Sequence, residues 1–351
     1  MGLFFSRYAA TFLTPLTSIS SSPSSDGTPW LVADIGGTNA RFGWVDGPGR
    51  AVEHVTTIRV ADHAGPAQAI AAYLAQLRQH GGRRWPAPRK AAFAVATAVR
   101  GDEIAFTNST WRFSRQALAS ELGLDALLVL NDFEALALSL PGLASSQHKA
   151  IGATRGAAAG GGTLAVIGPG TGLGVGGVIE TARGWVAMAG EGGHATLAAA
   201  DDEEARVIAE VRREHAHVSA ERVLSGIGLP SLHAAVARVH GHAAPTSSAE
   251  QIVDGATASN DPACRQTIEM FCALLGGFAG NVALTLGARA LFIGGGIVPR
   301  LGDMFFTSRF RERFEAKGRF RAYLEAVPTA LITDTLAALA GAAAALEQHG
   351  R

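Results

Sequence analysis

Two cysteines, Cys264 and Cys272, are all that this 351-residue chain carries. That is too few for a disulfide framework, and their spacing fits no Cys-x-x-Cys metal knuckle. They read as reduced packing residues, which suits a cytoplasmic protein. Net charge is missing too: 30 basic residues cancel 30 acidic ones. The chain therefore offers no electrostatic footprint for nucleic acid or an anionic membrane. No run of about 18 consecutive apolar residues occurs, so no membrane span is expected. What remains is 48% hydrophobic and 17% charged. A large core, two domains or one large one, and a small-molecule partner in a cleft follow from that balance.

A further absence is more specific. The stretch LVADIGGTNARFGWV at 31–45 places Gly36 and Gly37 after an apolar run, yet no lysine follows. The loop G-x-x-x-x-G-K-[ST] is not there. Glycines let consecutive backbone N–H groups form a concavity for an anion, and Thr38 and Asn39 add side-chain donors. Asp34 would repel bare phosphate, but it makes sense beside Mg²⁺, directly or through water. An ordinary hairpin turn is the alternative. A second loop, GPGTGLGVGGVI, repeats the pattern of strand, glycine turn, Gly-Thr and returning strand with Gly170, Thr171 and Gly172. Two such hairpins about a domain apart suggest two related domains turning their loops toward one cleft. GLGVGG also satisfies G-x-G-x-x-G, but that fingerprint must open a helix. Residues 175–179 read as a β-branched, glycine-rich strand, so a dinucleotide fold is rejected.

Strand and helix signals alternate after Trp30, which predicts an α/β protein. Strands are expected over 31–35, 41–45, 91–99, 127–130, 163–167 and 290–293. Helices are expected over 66–80, 115–122, 133–140, 203–217 and 268–288. Residues 1–29 are rich in Ser and Thr, with Arg7 the one basic side chain. Ser6, Arg7, Tyr8 and Thr11 break the apolar centre of about 7–15 residues that a secretory signal needs. A disordered extension is the expectation.

Three further segments carry candidate chemistry. In LVLNDFEAL, Asn131 and Asp132 sit where a buried strand ends, the usual place for ligand groups in α/β folds. Asp132 could accept the proton of an attacking hydroxyl, or it and Asn131 could simply cap a helix. In AGEGGHATL, Glu191 and His194 could clamp vicinal hydroxyls of a sugar, or form a hydrogen-bonded loop. Glu221, in AERVLSGIGL, reads by itself as a dipole-favoured residue at a helix start. His215 and His217 read as part of a solvated helix face. Thr107, Asn108 and Ser109 in FTNSTWRFS either reach the cleft or make a turn.

Together these segments resemble bacterial glucokinases of the hexokinase-like, actin-type ATPase superfamily. DIGGTNARF looks like the first phosphate motif, GPGTGLGVGGV the second, and LFIGGGIVPR the adenosine motif. FTNSTWRFS, LNDFEALAL, GEGGHATL and AERVLSGIGL match the sugar-side segments in order. The resemblance implies an actin-like ATPase (ribonuclease H-like) fold of two α/β domains flanking a cleft. The small domain would span 30–141 plus 331–351, and the large one 142–330. It implies ATP-dependent phosphorylation of D-glucose at O6, with ATP and Mg²⁺, and a homodimer. Asp132 would be the base. Asn131, Glu191, His194, Glu221 and Asn108 would hold the sugar. Asp34, Gly36, Gly37, Thr38, Asn39, Gly170, Thr171 and Gly172 would hold the Mg-nucleotide phosphates, with Gly294, Gly295 and Gly296 near the adenosine. One departure is Ala96-Thr97-Ala98, where family members often carry a proline.

Two other readings compete: a sugar-responsive regulator, or another hexose or hexosamine kinase on the same fold. A regulator needs a DNA-binding domain of several dozen residues, which 29 Ser-rich residues cannot supply. The neutral charge opposes it as well.

Overall fold

The computed structural model describes residues 27–79, 85–106, 109–155 and 162–349. The strands in chain order are β1 (Trp30–Ile35), β2 (Asn39–Val45), β3 (Glu53–Arg59), β4 (Lys90–Val95), β5 (Glu103–Ala105), β6 (Arg112–Ser114) and β7 (Ala126–Asn131). They continue as β8 (His148–Ala150), β9 (Thr163–Pro169), β10 (Leu173–Thr181), β11 (Gly184–Met188), β12 (Ala290–Ile293) and β13 (Thr329–Ile332).

Two sheets organise the molecule. The first runs β3-β2-β1-β4-β7 and the second β11-β10-β9-β12-β13-β8. In each, an antiparallel meander of three strands is followed by two strands added in parallel. The similarity of the two glycine hairpins therefore reflects a repeat of the whole sheet. β5 and β6 form a separate two-stranded ribbon.

The core follows from strand alternation. All seven residues of β9 are buried, as expected for a strand covered on both faces. Ala165 and Ile167 point into a cluster with Phe271, Leu274 and Leu275 of the helix Pro262–Leu286. Leu164 and Val166 point the other way, toward Ala137 and Leu138 of the helix Asp132–Ser139. The helix Pro262–Leu286 starts earlier than its apolar periodicity predicts. Asp261 caps it by accepting from Cys264 N at 2.8 Å, and Pro262 takes the first turn. It is long and apolar enough to cross a membrane by length and composition alone, but most of it is buried inside the lobe as a core helix.

The C-terminal helix Ala337–His349 returns to the first sheet. Leu339, Ala342, Ala343 and Leu346 pack with Trp30, Val32, Val45 and Ala92. Where it crosses the helix Asp132–Ser139, Gly341 lies against the Ala135 carbonyl, and no side chain fits between them. Ile332 still pairs with His148 in the second sheet, so the return begins after Ile332.

Three further elements differ from their sequence expectation. The strand expected over 91–99 stops at Val95, and residues 96–98 bend into the cleft. The helix expected over 203–217 is Asp202–Arg212 and ends five residues before His217. Glu221 lies in a run of turns rather than at a helix start.

Candidate active site

The two glycine turns open on one cavity of about 540 Å³. Gly36 and Gly37 line it from the β1–β2 turn; Gly170, Thr171 and Gly172 line it from the β9–β10 turn. Gly36 N donates to Asn39 O at 2.9 Å, and Gly170 N donates to Gly172 O at 2.9 Å. Each turn thus spends its first N–H on closure. The N–H groups of Gly37 and Thr171 have no partner among the described residues and are available to an anion. Asn39 opens β2 and Thr38 accepts from Val60 N at 2.9 Å, so both hold the turn in place.

Many glycines of GPGTGLGVGG serve packing rather than ligand binding. The Phe133 ring lies where a side chain on Gly168 or Gly174 would be, and the Phe133 carbonyl sits 2.8 Å from a Cβ placed on Gly176. This bare strand surface lets the start of the helix Asp132–Ser139 press onto the second sheet. Gly170, by contrast, has open space around it.

That helix start carries the acid and amide expected as base and sugar ligand. Asn131 is the N-cap: its Oδ1 accepts from Phe133 N at 3.0 Å, and its Nδ2 donates to Thr97 O at 3.3 Å. The same carboxamide also acts on the neighbouring Asp132 carboxylate, and Asn131 lines the cavity. Asp132 follows, with Oδ1 accepting from the same Phe133 N at 2.9 Å. Capping and cleft exposure therefore coexist at these two residues.

Burial pushes the Asp132 carboxyl up to about 6, with the Phe133 amide opposing and the Asp34 carboxylate adding to the rise. Asp34 is also raised by burial, against the lowering pull of Arg41. Arg41 Nη1 meets Asp34 Oδ2 at 3.0 Å. Sequence reasoning missed Arg41, although hairpin register would have found it, because Asp34 and Arg41 are direct cross-strand partners about the turn. Both line a second cavity of about 480 Å³ that shares Asp132 and Phe133 with the first and is bounded by Gly294, Gly295 and Gly296.

Two loops of the large lobe are sewn together on the far wall. Glu221 N donates to Gly193 O at 2.8 Å, and Ala220 N to Ala195 O at 2.8 Å. Glu221 Oε2 accepts from Leu173 N at 2.9 Å, just beyond the second glycine turn. A Cβ on Gly172 would strike that carboxylate and force it to shift. His194 Nδ1 stands 3.9 Å from Glu221 Oε1, while its ring is largely exposed. Glu191 and Glu221 line the cavity, with His194 beside Glu221. His217 is no part of a helix face, since its Nε2 lies 3.0 Å from Thr196 Oγ1 on the same pair of loops. Asn108 lies outside the described residues.

A third hollow of about 270 Å³ opens behind Gly170 and Thr171, walled by Gly226, Leu229, Ala249, Val253, Ile297 and Arg300, with Gly296 at its edge. Ile297 and Arg300 belong to the motif LFIGGGIVPR, and Leu229 ends AERVLSGIGL, whereas Ala249 and Val253 stand on the helix Ala249–Thr257 and carry no motif. Arg300 is held there by Glu250 at 3.3 Å and Asp254 at 3.2 Å.

Comparison with known proteins agrees with this geometry. The family model described as Glucokinase matches residues 31–349. A glucokinase of Aromatoleum aromaticum is 47% identical over 324 residues, covering 92% of this chain and 96% of that protein. One of Paramagnetospirillum magneticum is 49% identical over 315 residues, covering 89% and 96%. The crystal structure of a glucokinase from an Antarctic psychrotroph superposes with a TM-score of 0.83 at 38% identity, covering 92% of this chain and 99% of the other. A ROK-family glucokinase of Streptomyces griseus, solved with glucose and AMPPNP, shares the fold at a TM-score of 0.57 and 21% identity, covering 90% and 98%. The duplicated sheets are those of the actin-like ATPase fold. By sequence, fold and site, this chain belongs to the glucokinase family.

Proposed function

We propose that the cleft transfers the γ-phosphoryl group of ATP to O6 of D-glucose. The observation that carries this reading is Asp132: a carboxyl raised to about 6 at the junction of two cavities, facing glycine turns from both sheets. A base near that value is ionised at neutral pH yet still able to hold a proton. As the sugar O6 attacks phosphorus, Asp132 takes the hydroxyl proton and the bond to ADP breaks. The free N–H groups of Gly37 and Thr171 cradle phosphoryl oxygens, which spreads the developing charge.

The sugar is assigned to the wall built by Asn131, Glu191 and Glu221, with His194 beside Glu221. Carboxylates accept from hydroxyls, and a carboxamide can donate or accept. Since Glu221 also accepts from Leu173 N, a sugar that engages it is coupled to the second phosphate turn. The base of ATP is assigned to the hollow behind Thr171, whose walls are mostly apolar.

Mg²⁺ fits the same place. Asp34 and Asp132 are two like charges partly removed from water, and Arg41 neutralises only one of them. Asp34, directly or through bound water, would hold the ion, which would neutralise phosphoryl charge there. Arg41, freed from part of that duty, can turn to the nucleotide phosphates.

A coupled assay with ATP and a panel of hexoses tests the reading. Glucose 6-phosphate formation that depends on both ATP and glucose is the expected result. ATP hydrolysis indifferent to glucose, with no sugar phosphate formed, would overturn it.

A further inference from the structure

The two lobes are joined by two covalent crossings, and a single side-chain pair ties these together. The first crossing, residues 140–147, leaves the helix Asp132–Ser139 and enters β8. The second, residues 333–336, leaves β13 and enters the C-terminal helix Ala337–His349. They run side by side because β8 and β13 are antiparallel neighbours, with His148 opposite Ile332. At the point where both leave the second sheet, Gln147 Nε2 donates to Asp334 Oδ2 at 2.5 Å.

The rest of each side chain is also committed. Gln147 Oε1 accepts from Ala144 N at 2.8 Å, bracing the first crossing. Asp334 Oδ1 accepts from Leu336 N at 2.8 Å, capping the approach to the C-terminal helix. The Gln147 carbonyl accepts from Thr333 N at 2.8 Å and Asp334 N at 3.3 Å. Each crossing is thus held to the other through residues 147 and 334. The helices they lead to pack on each other through Gly341 and Ala135, and one of them begins at Asp132.

We infer that the Gln147–Asp334 pair is a hinge latch that makes the two crossings turn as one and so positions Asp132 when the lobes close. Two independent connections would allow twist and slide as well as rotation. A linked pair leaves one axis, because the strand pairing on one side and the helix crossing on the other are both rigid. Asp334 also lines the cavity that holds Asp34, Arg41 and Asp132, so any slip at the latch is felt beside the reacting groups. The role is one of positioning: neither side chain is assigned to substrate. This inference rests on the glucose kinase reading only for its assay. A failure of that reading would show in the wild-type protein, which would form no glucose 6-phosphate.

Exchange of donor and acceptor tests the latch. Gln147→Glu sets two carboxylates face to face. Asp334→Asn sets two amide donors face to face, because its oxygen stays with Leu336 N. The double variant Gln147→Glu/Asp334→Asn restores one donor and one acceptor at unchanged side-chain lengths. Each single variant is expected to lose roughly tenfold in kcat while KM for glucose moves less than about threefold. Glucose-independent ATP hydrolysis should rise relative to sugar phosphorylation, and glucose-induced compaction in small-angle scattering should shrink. The double variant should recover all three. Should Gln147→Glu fail to fold, Asp334→Asn adds no repulsive charge and carries the comparison. Single variants with wild-type kcat and compaction would overturn the latch. So would a double variant no better than its parents, or losses of kcat that track melting temperature while compaction stays intact.

Discussion

Asp34 and Arg41 face each other across the first glycine hairpin as cross-strand partners, with carboxylate and guanidinium 3.0 Å apart. The pair resolves an apparent misfit: an acid at the mouth of a phosphate turn. In the protein without nucleotide, Arg41 supplies the counter-charge that burial makes necessary. The same guanidinium lines the cavity bounded by the third glycine motif.

Replacing Arg41 with Met should therefore act on nucleotide more than on sugar. KM for ATP is expected to rise on the order of tenfold, as for a lost charge-assisted contact. Glucose affinity, read by intrinsic fluorescence, should stay near wild type. An unchanged KM for ATP would reduce Arg41 to a structural counter-ion.

Asp132 dictates the acid side of the pH profile. Its carboxyl titrates at about 6, so below that value the base is protonated and kcat should fall about tenfold per pH unit. Removing the Asp34 charge should move this limb to lower pH, since Asp34 raises Asp132. A limb that stays in place in Asp34→Asn would contradict the coupling.

The same shift makes a stability prediction. A carboxyl raised from 3.8 to about 6 by folding contributes stability below pH 4 that is lost as pH rises through about 6. Asp132→Asn should accordingly abolish most turnover yet stabilise the unliganded protein at pH 8 by on the order of 1–3 kcal/mol. The gain should vanish near pH 3.5. Urea unfolding at the two pH values measures it directly.

Glycines 170 and 174 should separate ligand from packing. Gly174→Ala drives a methyl into the Phe133 ring, so a loss of about 1–3 kcal/mol in stability is expected together with lower kcat. Gly170→Ala meets open space. It should keep its melting temperature and show its effect as a higher KM for ATP. Equal losses of stability in both variants would refute the distinction.

Much of the site was legible in the sequence because its signals are local. A glycine turn between two apolar runs announces itself within fifteen residues, and the second copy predicted a repeat that five strands of each sheet share. Asn131 and Asp132 were placed by the end of an apolar strand, where Asn131 caps the following helix and Asp132 lines the cleft. Glu221 was legible only through family resemblance. Its carboxylate accepts from Leu173 N, far away in the chain, and nothing in AERVLSGIGL reports that. His217 was read as helical because charge and spacing continued past Arg212, but pairing of its loop with Thr196 outweighed propensity there.

The sequence by itself determined the elements, the turns and the glycines that keep side chains out of the way, since these follow from backbone sterics and short-range periodicity. Tertiary structure alone decided which glycines face open space and which are seats for Phe133. It also decided that Arg300 would stand at the hollow behind Thr171, and that Gln147 would meet Asp334. The raised carboxyl of Asp132 belongs to the same class. Desolvation is exerted by whatever packs around a group, and those surroundings come together only when the two sheets close on the helix between them.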